Sequence, residues 1–365
     1  IRDGKDLENI EMKLPVKHAR WVTAADLNGD NRLELIVSKN YEENEFKTKS
    51  AIFWNGPKGF SFEEASWVPT YGVVGNTAGD LDGDGDLDAF FGSYGNNRVY
   101  LNDGVGTFTD NGQWILAGLY WNSHSVDLGD LDGDGKDDLI VGIDVASSTT
   151  DSVIKIFKNT GAYGSTNFAT SASITLDSSG AEGDILDIAS YNIDDDSNGY
   201  DDIVLVTQSG HVVILESPGT FTAGDWETGS GTGEYKVLAD LGNDVYALDV
   251  GDLAGSADKD IVIGADSGGI TNNLRAYEHP GTTPFSSAWD SIFTRDTGVD
   301  IRDVTIGDFD GDGTCDANDT SPYGETSLSS ANVSEGSIEI LFNSDMPIYG
   351  FQFQVSGVTL SGASG

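Results

Sequence analysis

The chain has 365 residues, and 61 Asp and Glu stand against 19 Lys and Arg, a formal net charge of −42. Such a surface is repelled by phosphate backbones and anionic membranes, and no apolar run reaches the ~18 residues of a membrane span. The 38% hydrophobic and 10% aromatic content still supplies a sizeable core, and 47 Gly against 8 Pro point to tight turns.

From its N-terminus the chain reads as strands separated by short acidic loops. The first loop is DLNGDNRLELIV from Asp26, after the apolar Val22–Ala25. The second is DLDGDGDLDAFFG from Asp80 and the third DLDGDGKDDLIVG from Asp130. Looser copies are NIDDDSNGYDDIVL from Asn192 and DLAGSADKDIVIG from Asp252, and DFDGDGTCDAND begins at Asp308. Their starts are 54, 50, 62, 60 and 56 residues apart, a period that signals repeated supersecondary units.

Between the loops recurs an apolar run, a Gly-containing turn and usually Phe: AIFWNGPKGF, VYLNDGVGTF, IKIFKNTG, VILESPGTF and RAYEHPGTTPF. Each reads as a strand end and a hairpin turn. One unit is therefore strand, acidic loop, strand, link, strand, Gly turn, strand. This predicts an all-β fold, a β-propeller of four-stranded blades over residues 1–319. Six blades result if the N-terminal strand closes the ring, and seven are also compatible. Residues 320–336, rich in Ser and Thr, read as a linker. Residues 337–365 read as a partial β extension, with strands at Ser337–Phe342 and Ile348–Val355, too few to bury a core alone.

The loops read as cation sites. A hard cation takes six to eight oxygens, and side chains at loop positions 1, 3 and 5, a carbonyl at 7 and a carboxylate at 9 can supply them. Gly lets the backbone curl around the ion. The first set is Asp26, Asn28, Asp30, the Arg32 carbonyl and Glu34. The second is Asp80, Asp82, Asp84, the Asp86 carbonyl and Asp88. The third is Asp130, Asp132, Asp134, the Lys136 carbonyl and Asp138. The longer fourth loop offers Asn192, Asp194, Asp196 and Asp202. The last offers Asp308, Asp310, Asp312, the Thr314 carbonyl and Asp316. In the fifth, Ala254 and Ser256 replace carboxylates, which predicts a weak or empty site with Asp252 and Asp260 capping the turn. An EF-hand is excluded for the early copies, because position 12 is Phe91 or Val141 within a strand. Unneutralised, these carboxylates repel one another, so three to five Ca²⁺ ions are expected as staples for the blades. Asp-Gly turns also form hairpins with no metal, which is the plainer reading of any single copy.

The loops resemble the FG-GAP/VCBS calcium-binding propeller repeats, known from integrin α-subunit heads and secreted microbial proteins. The resemblance runs from about Asp26 to Asp316. It implies a propeller, calcium in the loops and an extracellular or cell-surface home. The last loop also resembles a dockerin-like calcium linker, and Ser337–Val355, with Gly350-Phe351-Gln352-Phe353, the opening of a cohesin-like sandwich.

Cys315 is the sole cysteine, so no internal disulfide framework exists and bound cations are the alternative source of stability. The start at Ile1, without Met or an apolar leader, reads as a mature or trimmed chain. No HExxH, GxSxG or phosphate loop is present in the sequence. Trp21, Trp121 and His124 are the candidate ligand-binding residues, with Trp114 beside them. Trp54 aligns with Tyr100, Phe157, Leu215 and Tyr277 and reads as core. His211 and His279 read as surface.

Three functions fit. The first is an extracellular, calcium-stabilised module binding a glycan or protein in adhesion or surface assembly. The second is a propeller lyase acting on an acidic polysaccharide through His18, Arg20, Tyr71, Tyr120 and His124. The scarcity of Lys and Arg disfavours it. The third is a structural subunit whose C-terminal strands pair with a neighbour. An acidic surface also suits a high-salt source.

Overall fold

After its acidic first residue, the second strand of each blade runs through three or more consecutive apolar residues, as in Ala89-Phe90-Phe91, Leu139-Ile140-Val141 and Ile203-Val204-Leu205-Val206. A strand of this kind is buried on both faces, and the fold follows from it. A computed structural model describes residues 19–306, apart from interruptions mostly between strands, together with 326–334 and 337–344.

Five four-stranded antiparallel sheets form in chain order. The first is β1 (Ala19–Ala25), β2 (Glu34–Lys39), β3 (Thr48–Phe53) and β6 (Ser66–Thr70), with the ribbon β4 (Asn55–Gly56) and β5 (Gly59–Phe60) at the turn. The second is β7 (Val73–Gly79), β8 (Asp88–Ser93), β9 (Asn97–Leu101) and β10 (Thr109–Ile115). The third is β11 (Ser123–Gly129), β12 (Asp138–Ile143), β13 (Ser152–Asn159) and β14 (Phe168–Leu176). The fourth is β15 (Ile185–Tyr191), β16 (Asp202–Thr207), β17 (His211–Leu215) and β18 (Tyr235–Asp240). The fifth is β19 (Val245–Gly251), β20 (Asp260–Ala265), β21 (Leu274–Glu278) and β22 (Asp290–Arg295). This is the predicted blade, and the first strands β1, β7, β11, β15 and β19 pack each on the next as in a β-propeller.

The core lies between blades. Phe90, Leu81 and Val99 of the second blade meet Val126, Leu139, Val141 and Ile143 of the third. On the other face of β8, Phe91 meets Leu27, Ile36 and Ile52 of the first blade. Ile203 and Leu205 face the third blade, and Val204 and Val206 face the fifth. The period of two along each second strand thus divides its side chains between two neighbours.

Register is shared as well. The last residue of each first strand pairs with the acidic residue opening the second: Ala25 with Glu34, Gly79 with Asp88, Gly129 with Asp138, Tyr191 with Asp202 and Gly251 with Asp260. Every first strand also carries a bulge near its start, at Arg20, Val74, His124, Leu186 and Tyr246.

Five of the six expected blades therefore lie within the described residues. Residues 1–18, which were expected to close the ring, lie outside them. The start of the sixth unit follows the fifth: the Ile301 N–H donates to the Ala265 carbonyl (3.1 Å), and the Ile306 N–H to Asp249 Oδ2 (2.6 Å).

The chain divides into two units, one holding Ile1–Asp252 and Ala257–Ile306, the other Leu253–Ser256 and Gly307–Gly365. In the second unit β23 (Thr326–Ser334) pairs antiparallel with β24 (Ser337–Ser344). β23 occupies much of the segment read from composition as linker, since Ser and Thr suit a paired strand as well as a loop. The strand expected at Ile348–Val355 falls outside the described residues.

Candidate metal centre

Each acidic loop is built around its last carboxylate. Glu34, Asp88, Asp138 and Asp260 are fully buried, and Asp202 is 2% exposed. One oxygen accepts the N–H of loop position 2: Leu27 to Glu34 (2.9 Å), Leu81 to Asp88 (2.9 Å), Leu131 to Asp138 (3.2 Å) and Ile193 to Asp202 (2.9 Å). The other oxygen accepts an N–H from the end of the third strand. The donors are Asn55 to Glu34 (3.3 Å), Asn102 to Asp88 (2.8 Å), Asn159 to Asp138 (2.8 Å), Ser217 to Asp202 (2.9 Å) and His279 to Asp260 (2.9 Å). These charged hydrogen bonds close the loop onto its own sheet.

The first carboxylate winds the loop. Asp80 accepts from Gly83 (2.7 Å), Asp84 (3.1 Å) and Gly85 (2.9 Å), and Asp130 from Asp134 (3.0 Å) and Gly135 (2.8 Å). Gly85 and Gly135 sit at φ +95° and +81°, a conformation that favours glycine. In the first loop the Asp30 N–H donates to Asp26 Oδ1 (3.1 Å) and Asn28 Oδ1 (3.0 Å).

This winding brings one oxygen from each of Asp80, Asp82 and Asp88 within 4.8 Å of one another, and likewise Asp130, Asp132 and Asp138. Burial, opposed by the backbone N–H bonds and aided by neighbouring carboxylates, pushes Asp88 and Asp138 up to about 7. Burial and the charge of Asp84 also raise Asp82, and burial raises Glu34. Asp132 Oδ1 and Asn192 Oδ1 are buried with no hydrogen-bond partner. Convergent, repelling carboxylates and orphaned oxygens at predicted ligand positions fit a hard divalent cation held by oxygen.

Other predicted positions fall as follows. The Arg32 guanidinium pairs with Asp30 and donates to the Asn55 carbonyl (2.6 Å). Lys136 Nζ lies 3.7 Å from Asp134, and the Asp86 N–H donates to Asp84 (3.0 Å). Asp194, Asp196, Ala254, Ser256, Asp308, Asp310, Asp312, Thr314 and Asp316 lie outside the described residues, as do His18, Tyr71, Tyr120 and Trp121. Arg20 and His124 are placed by backbone only, both at the bulge of a first strand, and Trp114 lies in β10. Trp21 is half-buried in β1.

Two assignments from sequence are corrected. The residue equivalent to Tyr100, Phe157, Leu215 and Tyr277 is Phe53, fully buried two residues before Asn55. Trp54 is half-buried and donates to Ser66 Oγ (3.0 Å). His211 and His279, expected at the surface, are 9% and 7% exposed. His279 takes the place of Asn102 and Asn159, and its ring meets Trp289 edge-on at 5.0 Å.

Sequence reasoning missed the residues that link blades. Asn102 Nδ2 donates to the Leu27 carbonyl of the first loop (2.7 Å) and to the Leu87 carbonyl (3.0 Å). Asn159 Nδ2 donates to the Leu81 carbonyl of the second loop (2.8 Å), and Ser217 Oγ to the Leu131 carbonyl of the third (2.7 Å). The visible signal was Asn55, Asn102 and Asn159 recurring in the turn marker. A second relay runs along the first strands. Asp127 accepts the Ser190 N–H (2.7 Å), Asp187 the Leu248 N–H (2.9 Å) and Asp249 the Ile306 N–H (2.6 Å). Burial pushes Asp127 up to about 7.

A family model described as FG-GAP-like repeat matches residues 26–91 and 80–141, so this part of the chain is similar to such repeats. The match bears on neither the last loop nor Ser337–Val355. No curated protein matches the chain. Among solved structures, an Agrocybe aegerita lectin described with specific recognition of non-reducing terminal N-acetylglucosamine is 17% identical. The match covers 77% of this chain and 67% of the lectin, with TM-score 0.47. Saccharomyces cerevisiae Sqt1 is 9% identical over 76% of this chain and 64% of its own, with TM-score 0.44. The V. cholerae biofilm matrix protein Bap1 is 16% identical over 72% of this chain and 37% of its own, with TM-score 0.34.

Proposed function

We propose that this chain is a calcium-stabilised β-propeller that serves as an extracellular binding module for a glycan or protein, in adhesion or surface assembly. The observation that carries the calcium reading is the convergence of Asp80, Asp82 and Asp88, and of Asp130, Asp132 and Asp138, in FG-GAP-like loops. Calcium would be held by these residues together with Asp84 and Asp134, and in the first loop by Asp26, Asn28, Asp30 and Glu34. The ion supplies charge neutralisation. The chain's own residues do the rest: the last carboxylate anchors the loop to its sheet, and Asn102, Asn159 and Ser217 pass that order to the preceding blade. Such a scaffold keeps rigid loops and a long rim available for recognition. The acidic surface and the repeats support a module that works by binding, in a compartment where calcium is plentiful.

The test is thermal unfolding in millimolar calcium and in excess chelator, with a metal count per chain. A large fall in Tm on chelation, with three to five ions bound, supports the reading. An unchanged Tm and no bound metal refute it. Glycan arrays on the calcium-loaded chain then address the ligand.

A further inference from the structure

The second and third loops have five Asp each between their first and ninth positions, yet their surroundings differ. Lys158, the penultimate residue of β13, sends its ammonium into the third loop. There Nζ donates to Asp132 Oδ2 and to Asp134 Oδ2, the latter at 2.9 Å. The Phe221 ring of the fourth blade lies 5.2 Å from the same nitrogen. The place of Lys158, directly before the linking residue, is held by Trp54, Leu101, Glu216 and Glu278 in the other blades. Among these five blades only the third puts a cation there.

Resting on the calcium reading, we propose that Lys158 is the resident counter-cation of the third loop, shaping it without metal and competing with calcium for Asp132 and Asp134. Those two side chains are the third and fifth positions of the predicted ligand set. Their Oδ2 atoms cannot serve an ammonium and a divalent ion together, because the two cations would repel at contact distance. Asp132 Oδ1, buried and without a partner, is left free of the lysine. The third loop therefore fills at higher calcium than the second, and filling it releases Lys158 from its place beside Phe221. The chain gains a graded response, with some blades stapled constitutively and one stapled by calcium only above a threshold.

The experiment is site-resolved hydrogen–deuterium exchange of peptides covering residues 80–88 and 130–138, in chelator and across a calcium titration. The chains compared are wild type, Lys158→Met, Lys158→Arg and Leu101→Lys. In chelator, K158M is expected to speed exchange in the third loop and leave the second unchanged, with K158R close to wild type. In calcium, K158M is expected to lower the third-loop midpoint about tenfold, the effect of one charged contact. L101K is expected to raise the second-loop midpoint. A third-loop midpoint that K158M leaves in place overturns the competition. Third-loop exchange in chelator that K158M leaves unchanged overturns the resident-cation role, whatever calcium does. If no loop responds to calcium in any chain, the calcium reading fails and the competition fails with it. The chelator comparison still reports separately on the lysine.

Discussion

Asn102→Ala should loosen a loop that lies 75 residues earlier in the chain and in another blade. The Asn102 side chain makes two hydrogen bonds, to Leu27 at 2.7 Å and to Leu87 at 3.0 Å, and is 6% exposed. Alanine deletes both and keeps the backbone N–H bond to Asp88, so the anchor of the second loop survives. Each buried bond is worth about 1 kcal/mol net, and more where a carbonyl is left unpaired, giving about 2–4 kcal/mol for the pair. That is roughly a 30- to 1,000-fold increase in the opening equilibrium of the first loop. Serine, which carries the link in the fourth blade through Ser217, should keep one of the two bonds. Aspartate should be worst, because it points a carboxylate at two carbonyls. The order of protection for amides 26–34 in hydrogen exchange should be Asn, Ser, Ala, Asp. Protection of the first loop equal to wild type in N102A, with loosening confined to the second blade, would refute the linkage.

Further outcomes separate metal from scaffold. Asp82→Asn should leave the chelated chain as stable or slightly more so, since burial and repulsion already raise Asp82, while reducing the metal count by one. Asp88→Asn should instead cost about 1–3 kcal/mol in chelator as in calcium, because an amide cannot accept from both Leu81 and Asn102. Phe90→Ala should cost about 3–5 kcal/mol in denaturant unfolding, since the ring fills the seam between second and third blades. Without calcium, stability should fall as pH rises from about 4 to about 7. Asp127 is protonated in the fold up to about 7 but titrates near 3.9 when unfolded, so the folded state holds more protons across that window. Asp127→Asn should reduce that slope, which the buried Asp88 and Asp138 also feed, and a slope equal to wild type in the variant would remove Asp127 as a source.

The blade pattern was legible because its causes are local. Loop spacing, the apolar run after each loop and the Gly turns repeat in sequence, and each fixes a strand or a turn within a few residues. Glu34, Asp88, Asp138 and Asp260 were likewise visible as position 9 of a motif, the last as a turn cap, and Asp202 as the closing carboxylate of the longer fourth loop. Their double duty as acceptors for two backbone N–H groups was not visible, since one donor arrives 14 to 21 residues later on the third strand. Phe53 rather than Trp54 lines the core, because strand register and not motif alignment decides which face a side chain takes. His279 is buried because it stands at the position of Asn102, Asn159 and Ser217, all of them buried where the third strand ends. By itself, the sequence determined the repeat, the strands and the convergent acidic loops, since all of these depend on near neighbours. Tertiary structure alone decided the contacts between blades: the split of Phe90 and Phe91 between two seams, the Asn102 and Asn159 links, and the placing of Lys158 in the third loop. Those depend on which strands come to lie side by side, which no local spacing encodes.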